Sequence, residues 1–232
     1  MDVFDLKYFS PWLKGNIDDW RNLIDCGTIT VFKKNSVISY MGDVNNYAYI
    51  LKDGRVGLNT YSEDGDEITI AIIESGAMFG ELSLLDNEPN ICTAIAIRDT
   101  EVYRISKPDL ISVLSTDSRL HMAIMNNLCQ KIRLLHSHLL NISSKSATSR
   151  VALKFLQMCE EYGIRTNNIY KLRIKFTHQE LANITGLNRV SVSNIIRKFT
   201  NKGIITKNNN YFIIEDLEKL KVISEQGTLD DV

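Results

Sequence analysis

The hydrophobic period of this chain changes once, near Pro108, and that change constrains what it can fold into more than any other feature. From about Val31 to Ile105 the text is a series of short β-rich runs, VFKKNSVISY, NYAYILKDGRVGLNTYS, EITIAIIESG and ICTAIAIRDTEVYRIS, punctuated by Gly42, Gly54, Gly65, Gly76 and Gly80. Short strands with turn residues between them are the pattern of an all-β sandwich or barrel. Asp53-Gly54 and Asp64-Gly65 are tight-turn pairs. Alternation is clearest in Ile68, Ile70 and Ile72, and in Ala94 and Ala96 with Ile95 and Ile97 on the opposite face. Ile17 to Cys26, before the first run, reads as helical.

After Pro108 the period becomes that of a helix. PDLISVLS is one short helix, with proline in its first turn, and Asp117 or Ser118 caps a longer one. In the longer helix Met125, Leu128, Ile132, Leu135, Leu139 and Ile142 recur at steps of three and four, a heptad seam suited to a second copy of the chain. Leu120, Ile124 and Leu134 form another stripe, placed to pack on the β domain. The Ser-rich stretch Asn141 to Ala147, nearly without apolar residues, is the expected hinge. Beyond it Thr148 to Glu161 is amphipathic, with Val151, Phe155, Leu156 and Cys159 inward.

Charge divides along the same line. The formal net charge of the 232 residues is only −1, yet Ser146 to Ile214 carries 11 Lys and Arg against 3 Asp and Glu, while the rest carries 16 against 25. A basic island in an acidic protein is the footprint of a DNA-reading segment, because phosphate neutralisation dominates non-specific affinity. Cys26, Cys92, Cys129 and Cys159 lie tens of residues apart, with no metal-knuckle spacing. No apolar run approaches the roughly 20 residues of a membrane span, and the N-terminus is acidic where a signal peptide is basic. A cytoplasmic protein without membrane attachment is expected.

The most specific stretch is FTHQELANITGLNRVSVSNIIRKFTNKGIITKNNNYFII. Thr177 to Glu180 has the form of a capping box, Gly186 of a left-handed stop, and Asn188 of a second cap. Two short helices about a glycine turn make a helix-turn-helix. In the second helix Val192, Ile195, Ile196 and Phe199 face inward by spacing, leaving Arg189, Val190, Ser193, Asn194 and Arg197 on the outer face. Arginine pairs bidentately with guanine, asparagine with adenine, and a valine methyl meets that of thymine. Arg197, Lys198 and Lys202 suit phosphates. Ser191, together with Thr177, His178 and Gln179 at the start of the first helix, completes the candidate DNA-contacting set. Ile204 to Ile214 reads as a hairpin with its tip at Asn208-Asn209-Asn210, which makes the module winged.

These landmarks, with FGELSLLD (Phe79 to Asp86), the T-S-R-V-A junction (Thr148 to Ala152) and QELANITGLNRVSVS (Gln179 to Ser193), resemble the Crp/Fnr superfamily of bacterial transcription regulators over nearly the whole chain. The resemblance implies an α+β protein. Residues 1–116 would be an effector-sensing β jelly roll like a cyclic-nucleotide-binding domain, 117–145 a dimerisation helix and hinge, and 146–232 a winged helix-turn-helix. It further implies a homodimer on a pseudo-palindromic double-stranded DNA site, acting with RNA polymerase. Arg189 matches the family's guanine-reading arginine. Val190 and Asn194 depart from the Glu and Arg of many members, so a different half-site is expected.

The resemblance also locates an effector site, and with it a deficit. Gly80, Glu81, Leu82, Thr93 and Ala94 match the phosphate loop of cyclic-nucleotide binders, with Ser83 beside them, but Cys92 stands where those proteins carry arginine. Leu135 and His136 replace hydroxyl residues that face the adenine. Nothing from Leu82 to Ala94 is basic, so a phosphate bound here would lose its charge-assisted contact, and tight cAMP binding would mean that another cation, from the long helix or the partner subunit, supplies it. The expectation is an allosteric DNA-binding regulator, not an enzyme, whose small effector is not cAMP and which needs no metal or cofactor. The alternatives are an effector-independent architectural DNA-binding protein and a cupin-like enzyme. The latter would need a His and carboxylate cluster, and no histidine lies between Val31 and Ile105.

Overall fold

The computed structural model describes residues 10–63, 65–166 and 169–227, which divide into two compact units on either side of the Leu135–His136 bond. The first unit runs from Pro11 to Leu135. Its elements in order are β1 (Trp12–Leu13), a 3-10 turn (Ile17–Trp20), α1 (Arg21–Cys26), β2 (Thr28–Phe32), β3 (Val37–Ser39), β4 (Tyr47–Asp53), β5 (Val56–Tyr61) and β6 (Glu67–Ile73). There follow β7 (Met78–Phe79), α2 (Glu81–Asp86), β8 (Thr93–Ala96), β9 (Thr100–Ser106), α3 (Lys107–Thr116) and α4 (Ser118–Ser144), whose residues up to Leu135 belong to this unit.

The strands form two sheets, β1-β6-β5-β8-β3 and β2-β9-β4-β7. Leu51, Val56, Ile73, Phe79 and Val102 share the core between them, and Phe79 stacks on Tyr49. This is the expected β jelly roll of a cyclic-nucleotide-binding-like domain. Ala94 and Ala96 are buried while Ile95 and Ile97 are half-buried on the other face, as their alternation predicts. In β6 the core face belongs instead to Thr69, Ala71 and Ile73, with Ile68 and Ile70 half-buried. Ile72 is covered as well, where β1 pairs alongside it.

α3 begins at Ser106, whose hydroxyl caps Asp109 N, with Pro108 in the first turn. α4 presents the predicted inner stripe: Leu120, Ile124 and Leu134 are all buried against the β unit. The helix also continues through most of the expected hinge. Ser143 and Ser144 donate their hydroxyls back to Leu140 O, which lets serine remain helical without apolar packing. Only Lys145 and Ser146 interrupt the helices.

The second unit contains α5 (Ala147–Tyr162), β10 (Gly163–Thr166), β11 (Ile169–Lys175), α6 (His178–Thr185), α7 (Arg189–Asn201), β12 (Ile205–Asn208), β13 (Tyr211–Ile214) and α8 (Leu217–Gln226). Val151, Phe155, Leu156 and Cys159 of α5 are buried as their spacing requires, and Phe155 meets Phe212 edge to face. The antiparallel sheet β10-β11-β13-β12 closes the core. The wing turns at Asn209 and Asn210, both at positive φ (49° and 67°), a conformation asparagine tolerates better than most residues.

Candidate nucleic-acid interface and effector cavity

The DNA-reading candidates assemble on one end of the second unit. Both halves of the capping box form: Thr177 Oγ1 accepts from Glu180 N at 3.1 Å, and Glu180 Oε2 accepts from Thr177 N at 2.7 Å. Gly186 ends α6 at φ +61°, and Asn188 Oδ1 accepts from Ser191 N at 2.8 Å to start α7. Two capped ends about a left-handed glycine fix the angle at which α7 leaves the turn. Val192, Ile195, Ile196 and Phe199 are buried. Arg189, Val190, Asn194, Arg197 and Lys198 are exposed, Val190 at 69%.

Ser193 differs from its expected place on the outer face. It is half-buried, and its Oγ lies 2.8 Å from His178 Nδ1, so the side chain joins α6 to α7. Ser191 is half-buried as well, and Asn194 Oδ1 accepts from Arg197 Nη2 at 3.3 Å. Thr177, Gln179 and Lys202 are exposed. Burial, followed by the charges of Lys207 and Arg189, holds the His178 imidazole below its ordinary value.

Sequence reasoning did not single out four further exposed cations of this unit. Lys207 sits in the wing over the Phe212 ring. β11 places Lys171, Arg173 and Lys175 on its exposed face, a disposition that the alternation in KLRIK already carried.

Five of the eight effector candidates, Gly80, Glu81, Leu82, Cys92 and Leu135, line a cavity of about 90 Å³ in the first unit, with Ser39, Leu58, Phe79, Ala94 and Leu134 among the others. The small Ala71 and Ala94 side chains leave room that larger residues would fill. Gly80 (φ +76°) opens α2, and a Cβ there would lie 3.1 Å from Tyr49 Cδ2 and 3.2 Å from Tyr47 O. Glycine is thus favoured by the left-handed conformation, and a side chain would also be tightly placed. The next residue, Glu81, is wholly buried.

The cavity does carry one cation, and it belongs to the long helix. Lys131 Nζ of α4 lies 2.5 Å from Glu81 Oε1, and Lys131 also lines the cavity. A signal for it was available: Lys131 continues the inner stripe of Leu120, Ile124 and Leu134 at helical spacing and is the one charge in it. Glu81 Oε2 is buried without a hydrogen-bond partner. Burial pushes the Cys92 thiol up, partly opposed by the Lys131 charge, so Cys92 contributes a neutral group.

Gly80, Leu82 and Leu135 line the cavity as the resemblance implies. Three other candidates do not. Ser83 Oγ accepts from Asn45 N at 2.8 Å, and Thr93 Oγ1 from Met41 N at 3.1 Å, so both buried hydroxyls pin the loop before β4. His136 is exposed. The helical period turns it away from the stripe that Lys131 and Leu134 occupy.

Comparison with known proteins finds a family for each part of the chain. Residues 29–117 match the cyclic nucleotide-binding domain and residues 149–223 the Crp-like helix-turn-helix domain. A CRP-like cAMP-activated global transcriptional regulator of Mycobacterium tuberculosis is 23% identical, over 82% of this chain and 84% of its own length. A global nitrogen regulator of a Nostoc species is 26% identical, over 77% and 81%. Among solved structures, a CRP/FNR-family transcriptional regulator of Thermus thermophilus superposes with a TM-score of 0.65 at 25% identity, over 85% of this chain and 98% of the other. With its β domain, long helix and Crp-like helix-turn-helix, the chain belongs to the Crp/Fnr superfamily of transcription regulators.

Proposed function

We propose that the protein is a homodimeric, sequence-specific DNA-binding regulator, controlled by a small effector other than cAMP in the β-domain cavity. The functional division is 1–116 for sensing, 117–145 for dimerisation and 146–232 for DNA. The observation that carries the DNA reading is the outer face of α7, where Arg189, Val190 and Asn194 stand exposed on a helix capped and held at both sides. Such a face enters a major groove, and its residue types read base edges.

Assembly is supported by the seam. Met125, Ile132, Leu135, Leu139 and Ile142 are exposed along α4, Ile132 at 64%, and Leu128 is half-buried. A row of large apolar side chains in water is stabilised by a second copy. A two-fold axis through such a seam sets the recognition helices about 34 Å apart on a pseudo-palindromic site. RNA polymerase is the expected further partner, and the cytoplasm the expected location. No helix among the described residues is long and apolar enough to cross a membrane.

Effector control rests on the link between cavity and helix. Lys131 and Leu135 line the cavity and belong to the same helix as the seam, so an occupant that alters their packing biases two dimer states. The relatives differ by name: the mycobacterial protein is a cAMP-activated regulator, and the Nostoc protein is a global nitrogen regulator. Selection of binding sites from a random duplex pool, with sedimentation of the complex, tests the reading. A two-fold symmetric consensus bound by two chains is expected, and binding indifferent to sequence would favour an architectural role.

A further inference from the structure

Among the residues lining the cavity only Glu81 and Lys131 are charged, and they neutralise each other. Most of the remaining lining is apolar, including Leu58, Ile70, Phe79 and Leu134. The pair leaves one unsatisfied atom, Glu81 Oε2, on a side chain with 0% exposure. A buried acceptor without a donor is costly, and the cheapest remedy is a donor that brings no charge.

We propose that the ligand of this cavity is a small uncharged molecule, an apolar body bearing one hydroxyl or N–H group that donates to Glu81 Oε2 while the Glu81–Lys131 pair stays closed. This rests on the effector-site reading above and names its ligand class. An anion would have to draw Lys131 away and leave a fully buried carboxylate alone, or sit beside that carboxylate uncompensated. A cation would meet Lys131. A neutral donor does neither, and it strengthens the link between α2 and α4 by completing the carboxylate's hydrogen bonds. Size agrees with this. At about 90 Å³ the cavity is far below the roughly 300 Å³ at which drug-sized sites begin.

Three probes that share one acyl group separate the possibilities: isobutyramide is neutral with an N–H donor, isobutyrate is an anion, and methyl isobutyrate is neutral without a donor. Saturation-transfer NMR titrations on the full chain should rank isobutyramide about tenfold or more above both others. In Glu81→Gln the carboxylate is gone and Lys131 is left for an anion, so isobutyrate should move to first place. Should that variant not fold, the wild-type ranking decides alone. Isobutyrate or the ester equal to or above the amide in the wild type overturns the proposal, as does binding of none of the three. DNA binding of the same preparation is measured in parallel. Its loss would sink the regulator reading, whereas an isobutyrate preference would sink only the ligand class.

Discussion

Lys131 of α4 closes an ion pair with Glu81, the residue after the glycine that opens α2, across 50 positions of sequence and 2.5 Å of space. The carboxylate is fully buried and the ammonium nearly so. Removing one partner of such a pair leaves a charge without compensation, which typically costs about 3–5 kcal/mol, whereas removing both is far milder. Urea unfolding should therefore find Lys131→Met strongly destabilised and the Glu81→Gln/Lys131→Met double variant nearer to wild type. Additive losses would mean that the two side chains act independently.

The same pair bears on cAMP. The phosphate would lose a charge-assisted contact worth about 1.5–3 kcal/mol where Cys92 replaces arginine, and Lys131 is already engaged. Isothermal titration should give no saturation below about 1 mM. A micromolar constant would show that Lys131 leaves Glu81 for the phosphate.

On the DNA side, Arg189 begins the exposed face of α7, while Lys202 lies just past its end. Arg189→Ala should erase discrimination at one base pair of each half-site, at a cost of about 1–3 kcal/mol, and Lys202→Ala should weaken all duplexes alike. Fluorescence anisotropy on matched and mismatched duplexes checks this. Equal losses on both for Arg189→Ala would reject its role in base reading.

Leu139 is 67% exposed and does not line the cavity, so it tests the seam without touching the effector site, which Leu135 would not. A charge at Leu139 would face its own copy across a two-fold axis. Light scattering should find Leu139→Glu monomeric and folded, with its affinity for palindromic DNA lost. A fully dimeric variant would place the interface elsewhere.

Lys154 is buried in α5 with its ammonium on Gln157 Oε1, and burial lowers it from 10.5 to about 7. Between those values the unfolded chain holds a proton that the folded one has released. Stability should therefore rise with pH from about 7 to 10.5, and be flat in this contribution below 7, where both states are protonated. Lys154→Met should abolish that slope and stabilise the protein at neutral pH by on the order of a few kcal/mol. Denaturant titrations across the pH range read both effects.

Local chemistry settled much of this protein from sequence alone. Caps at Thr177 and Asn188, the glycine at 186 and the inward spacing of Val192 to Phe199 act within one or two helical turns, so their consequences are written in adjacent residues. Strand alternation and the two stripes of α4 were legible for the same reason, since each face repeats at a fixed period. Tertiary structure alone decided what distant segments do to one another. It made α2 a helix in what reads as a loop, carried serines through the expected hinge, drew Ser193 inward to His178, and took Ser83 and Thr93 away from the cavity to hold a neighbouring loop. Above all it brought Lys131 to Glu81. A side chain's periodic position says which face it occupies, but its partner across the core depends on how the sheets and α4 pack, and no local pattern encodes that distance.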